Sequence, residues 1–115
     1  MNWKQLTTID QLSEIKKISS EKPQLIFKHS TRCSISAMAK SRMDRASAPD
    51  SVDFYLLDLL KYRNISGQIE TDFMVTHESP QALLIVNGEC VFDESHSGIS
   101  MDEITEQASK HASSN

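Results

Sequence analysis

Residues 27–36 read FKHSTRCSIS, and the reading of this stretch decides the fold. Upstream, Leu25, Ile26 and Phe27 form a short apolar run between Pro23 and the polar His29-Ser30-Thr31, the pattern of a short buried strand. Downstream, Ile35, Met38, Ala39, Met43 and Ala46 recur as the apolar stripe of a helix from about Ser34 to Ala46. Cys33 stands at the junction, at the helix start, and is one of only two cysteines in the chain.

Working outward, Ile9, Leu12, Ile15 and Ile18 predict a helix from about Thr8 to Ser19, with Thr8 and Gln11 in the positions of a capping box. Pro23 ends any continuation. Residues 54–60 are rich in apolar and aromatic residues and read as a second core strand. Residues 64–73 carry Ile65, Ile69 and Phe73 at spacing four and read as a helix, weakened by Gly67. A mostly polar loop follows, ending at Pro80. Leu83–Val86 and Cys90–Phe92 are then joined at Asn87-Gly88, a strong hairpin signal. Ser100 with Glu103 opens a last helix, which carries Ile104 and Ala108 inward, and the polar tail from about Ser109 is expected to fray. The alternation of helices and strands predicts an α/β fold with parallel crossovers, closed by an antiparallel hairpin.

A length of 115 residues predicts one domain spanning the chain. With 38% hydrophobic and 24% charged residues the composition is globular rather than disordered. The net charge of −4 argues against a nucleic-acid binder, and Lys40, Arg42 and Arg45 read as a solvated helix face. Residues 1–12 lack the apolar segment of a secretory signal, and the longest strongly apolar stretch, Ala82–Val86, is far short of a membrane span. The expected location is the cytoplasm, where thiols stay reduced, so the two cysteines do not read as a disulfide framework. They are too few for a cysteine-rich zinc site, and Cys33, His29 and His77 match no familiar ligand spacing. A reactive thiol is the remaining option. The N–H groups at a helix start, with Arg32 next door, favour an anion at Cys33. Ser36 lies about one turn on: its hydroxyl can donate to a thiolate but cannot attack a mixed disulfide as a thiol would. His29 is either a packed histidine or a proton shuttle. His77, near Pro80, is either an ordinary loop histidine or a proton donor to a leaving thiol. Cys90 alternates with Val91 in a strand and shares a face with Phe92, a packing position. Trp3, Phe54, Met38 and Met43 read as packing residues.

Cys33 opening a helix, Pro80 before Leu83-Leu84-Ile85-Val86 and the Asn87-Gly88 turn together resemble the thioredoxin fold, which implies a central mixed sheet of four strands flanked by helices. More closely, FKHSTRCSIS with HESPQALLIVNGE (residues 77–89) resembles the YtxJ family of bacillithiol-system proteins, the monothiol bacilliredoxins. The first segment combines His29, Thr31, Cys33, Ile35 and Ser36 at fixed spacing. Ser36 replaces the second cysteine of dithiol thioredoxins, and Ser34 stands where bacilliredoxin motifs often have proline. The resemblance implies a thiol-disulfide oxidoreductase that removes bacillithiol from proteins. Cys33 would be its nucleophile, and Ser36, Arg32, Thr31 and His29 would support it. Bacillithiol would be co-substrate, with no bound cofactor, and the partners would be S-bacillithiolated proteins rather than nucleic acid or membrane. It further implies a cis Ser79-Pro80 bond, with Ser79 offering backbone groups to an extended substrate near His77. Arg32 is either a solvated arginine or a ligand for the carboxylates of the small thiol. Two other readings remain: a redox sensor modified at Cys33, and an iron–sulfur carrier, although the CGFS stretch of such glutaredoxins is missing.

Overall fold

The computed structural model describes residues 1–112. In chain order the elements are β1 (Lys4–Gln5), α1 (Ile9–Ile18), β2 (Gln24–His29), α2 (Ser34–Arg45), β3 (Asp53–Asp58), α3 (Arg63–Phe73), β4 (Gln81–Val86), β5 (Glu89–Ser95), a 3₁₀ turn (His96–Gly98) and α4 (Met101–Ala112). The sheet has the order β1-β3-β2-β4-β5. β1 and β2 flank β3 in parallel, whereas β4 runs antiparallel to β2 and to β5. The sheet therefore has five strands where the sequence predicts four. The additional strand is two exposed polar residues on the edge, too short and too polar to carry a pattern.

Strand alternation divides the core. Leu25 and Phe27 of β2 face Ala39 and Met43 of α2 and Ile104 and Ala108 of α4. Ile26 faces the other way, toward Leu12 and Ile15 of α1 and Ile65 and Ile69 of α3. β2 and β4 are buried along their whole length, as central strands covered on both faces are.

Two helix faces differ from the expected stripes. In α1 the capping box forms between Thr8 and Gln11, but only Leu12 and Ile15 of the four isoleucine and leucine positions are buried. A strict spacing of three drifts by about 60° per step on a helix of 3.6 residues per turn, so Ile9 and Ile18 rotate to the solvent edge. In α2 the buried residues are Ser36, Ala39 and Met43, while Ile35 and Met38 are 51% and 63% exposed. Met38 is thus a surface residue and not a core filler.

The hairpin turns at Asn87 and Gly88, both with positive φ (53° and 77°), as a tight two-residue turn requires. A register shift between Leu84 and Ile85 pairs Leu84 with Phe92 but Ile85 with Cys90. This bulge breaks the alternation: Cys90 packs against the α1/α3 side and Phe92 against the α2/α4 side, so they do not share a face. α4 runs through Ala112, so the stretch from Ser109 is helical as far as residue 112 rather than frayed; residues 113–115 lie outside the described residues. Among the described residues no helix is long and apolar enough to cross a membrane.

Candidate active site at the start of α2

Cys33 is the N-cap residue of α2, with extended backbone angles (φ −108°, ψ 122°) and a half-exposed side chain. Its N–H donates to Ser30 O at 3.2 Å, which closes the turn after β2, and its carbonyl accepts from Ala37 N–H at 3.0 Å. Its side chain makes no capping hydrogen bond, and the first turn of the helix holds no acidic residue. The first-turn N–H groups and the positive end of the helix dipole therefore lie beside Cys33. Arg42 and Arg45 complement the opposite end.

Ser36 is fully buried one turn on. Its Oγ accepts from Ser30 N–H at 2.9 Å and lies 2.7 Å from His29 Nδ1. The hydroxyl therefore ties the end of β2 to α2, and its partners are Ser30 and His29 rather than the Cys33 sulfur. Burial, aided by the Lys40 cation and opposed by Asp58 and Asp44, lowers the His29 pKa from its ordinary value. His29 thus stays neutral near pH 7, so the pair is one hydrogen bond between uncharged groups.

The Ser79-Pro80 peptide bond is cis. Lys28 pairs with Gln81, so Pro80 sits beside the end of β2 that leads into the Cys33 turn. The buried Gln81 braces this loop: its Nε2 donates to Thr76 O at 3.1 Å and its Oε1 accepts from Glu78 N–H at 3.3 Å. Pro80 O accepts from His96 N–H at 3.0 Å. The Ser79 hydroxyl is buried with no hydrogen-bond partner among the described residues.

His77 is exposed, but its Nδ1 accepts from Lys28 Nζ at 2.8 Å, with Ser66 Oγ at 3.4 Å. Its N–H donates to Glu70 Oε2 at 2.7 Å. One ring nitrogen is therefore committed to Lys28 and not to the thiol. Lys28 itself is the residue that sequence reasoning passed over. It lies on β2 with no exposure, and burial pulls its pKa down to about 8 against the attraction of Glu70, Glu78 and Asp93. The apolar run around it was the only local signal, because its partner is 49 residues away.

Thr31 and Arg32 are exposed in the turn before Cys33 and line a cleft of about 340 Å³ with Asp58, Leu60, Lys61 and Arg63. Cys90 lies at the other end of the sheet: it pairs with Ile85, which pairs with Gln24 at the start of β2. Both cysteines are free. Burial, with Asp93 adding, pushes the Cys90 thiol up to about 11, and its sulfur donates to Phe92 O at 3.4 Å. At neutral pH Cys90 is a thiol and a weak nucleophile. The structure thus brings Cys33, Ser36, His29, Arg32, Thr31 and the Ser79-Pro80 bond to one end of the sheet and turns His77 toward the α3 side.

Known structures share this fold. A protein of thioredoxin fold assigned as an oxidoreductase matches with a TM-score of 0.76 and 34% identity, over 91% of each chain. Thioredoxins from Malassezia sympodialis and Fasciola hepatica each match at 16% identity with a TM-score of 0.72, the first over 96% of this chain and 91% of its own, the second over 94% and 98%. The fold is that of thioredoxin, and with a thiol at the start of α2 the protein is a thiol-disulfide oxidoreductase. Residues 4–104 match the family described as monothiol bacilliredoxin BrxC, and the chain belongs to that family.

Proposed function

We propose that this protein removes bacillithiol from protein mixed disulfides, with Cys33 as its nucleophile. The Cys33 thiolate attacks the bacillithiol sulfur of the mixed disulfide. A new disulfide forms between Cys33 and bacillithiol, the old one breaks, and the client leaves as a thiolate that water protonates. A free bacillithiol thiolate then attacks the capped Cys33, giving bacillithiol disulfide and regenerating the Cys33 thiolate.

One observation carries this reading. Cys33 is half-exposed at an uncapped helix N-terminus, and the group one turn away is a buried hydroxyl. With Cys90 at the far end of the sheet, no second thiol stands ready to resolve the cap, so a small external thiol completes the exchange. The backbone of Ser79 beside the cis proline is suited to hold an extended client segment, and exposed Ile35 and Met38 on α2 offer it apolar surface. Thr31 and Arg32 lie in the turn that leads to Cys33 and are suited to meet the cap, and His29 braces that turn through Ser36.

The test is turnover: release of client thiol from a bacillithiolated protein, followed against bacillithiol concentration. Release should saturate with bacillithiol, persist in Cys90→Ser and vanish in Cys33→Ser. Release undiminished in Cys33→Ser would refute the reading.

A further inference from the structure

The cleft beside the Cys33 turn has an electrostatic character opposite to that of the whole molecule. The chain carries a net charge of −4, yet the cleft presents three cationic side chains, Arg32, Lys61 and Arg63, against one carboxylate, Asp58. One oxygen of Asp58 is already engaged, since its Oδ1 accepts from Leu60 N–H at 3.2 Å and Lys61 N–H at 3.3 Å. None of the three cations joins an ion pair among the described residues, although Lys4, Lys16, Lys22 and Lys40 all do. Lys61 lies over the Tyr62 ring at 5.5 Å.

The position follows from strand pairing. His29 is registered against Asp58, and Leu59 N–H donates to His29 O at 3.0 Å. The loop after β3 is thereby fixed alongside the loop after β2, which holds Thr31, Arg32 and Cys33. Thr31 and Arg32, the two residues that precede Cys33, border the cleft, so it lies alongside the turn that carries the thiol. The volume, about 340 Å³, falls in the range of small-molecule sites.

We propose that this cleft is the subsite for the anionic part of the small thiol carried on Cys33, with Arg32, Lys61 and Arg63 binding its carboxylates. The proposal rests on the reading of Cys33 as the acceptor of a small-thiol cap. It adds Lys61 and Arg63, from a different loop, as determinants of which thiol is accepted. The Arg forks bind carboxylate in a bidentate manner, while Lys61 contributes a point charge.

The experiment compares two small disulfides as partners for Cys33: bacillithiol disulfide, which is anionic, and bis(2-hydroxyethyl) disulfide, which is neutral. Cys33 takes half of either disulfide and releases the other half as thiolate, and the adduct is followed by intact mass. The readout is the ratio of the two second-order rate constants, from which intrinsic reactivity cancels when wild type is compared with a Lys61→Gln, Arg63→Gln double variant. The ratio should fall about fivefold in the double variant, the size expected of two exposed charge pairs. In wild type it should fall as salt rises. A ratio unchanged by both the substitutions and salt would overturn the subsite. A loss confined to coenzyme A disulfide, tested alongside, would overturn the carboxylate assignment in favour of phosphate. Failure of wild type to take bacillithiol from a protein, with the disulfide ratio still falling in the variant, would refute the proposed function and leave the subsite standing.

Discussion

Replacing Lys28 with methionine should make the protein more stable at neutral pH. Lys28 is wholly buried in β2, and its pKa drops from 10.5 to about 8. Each unit of that gap corresponds to about 1.36 kcal/mol, so burying the charged amine costs about 3 kcal/mol at pH 7. The sign follows from proton counts. Between about 8 and 10.5 the unfolded chain holds the proton and the folded one does not, so stability rises with pH across that window. Below about 8 both states are protonated and the full cost applies. From pH 7 to pH 9.5 the wild type should recover about 2 kcal/mol from this group. Lys28→Met leaves an unbranched apolar side chain in place of the amine, removes the charge and forfeits the bond to His77, worth about 1 kcal/mol, with the exposed His77 free to meet water instead. The net expectation at pH 7 is a gain of about 2 kcal/mol, shrinking toward zero by pH 9.5. Urea unfolding of both proteins at the two pH values measures this. Taking the difference between them removes the opposing contribution of Cys90, whose raised pKa makes stability fall over its own window, from 9.0 to about 11. A variant less stable than wild type at pH 7, or a difference that does not change with pH, would refute the reasoning.

Three further outcomes are expected. Iodoacetamide at pH 7.5 should label one cysteine of the folded protein, Cys33, with Cys90 reacting only after denaturation, because its thiol is held near 11; peptide mapping of a single-label product decides it. Ser36→Cys should place a thiol one turn from Cys33, so that a bacillithiol cap leaves without added thiol and the product is 2 Da lighter than the dithiol protein (~2 Da, two hydrogens); a cap that persists would contradict this. Acidification should cost stability below 6.5, since burial depresses the pKa values of His29 and His77 and the unfolded chain takes up protons first; the loss runs as pH falls through the folded values. His29→Asn should flatten that slope in chemical unfolding measured between pH 6.5 and pH 5.

Much of this arrangement was legible in the sequence because its causes are local. An apolar run, a helix start and an Asn-Gly turn each act over a few residues, and they placed β2, α2 and the hairpin and put Cys33 at the junction. What stayed hidden depends on distant partners or on a single displaced residue. Ser36 and Lys28 are polar side chains at buried positions, satisfied by His29 and by His77, and nothing near them in the chain announces either bond. The same Ser36 explains the misread face of α2: the helix turns a hydroxyl inward and leaves Ile35 and Met38 outside. One extra residue in β5 sends Cys90 to the opposite face from Phe92, an offset that an alternating pattern cannot reveal. Lys61 and Arg63 read as surface charges until the pairing of β2 with β3 brings them beside Arg32.

The central claim is that Cys33 itself receives the cap, and intact mass spectrometry tests it most directly. The protein is mixed with a bacillithiolated client in the absence of free bacillithiol, for wild type, Cys33→Ser and Cys90→Ser. Wild type and Cys90→Ser should each gain one bacillithiol as the client loses one, while Cys33→Ser gains none. Absence of transfer in every variant, or transfer to Cys33→Ser, would contradict the account.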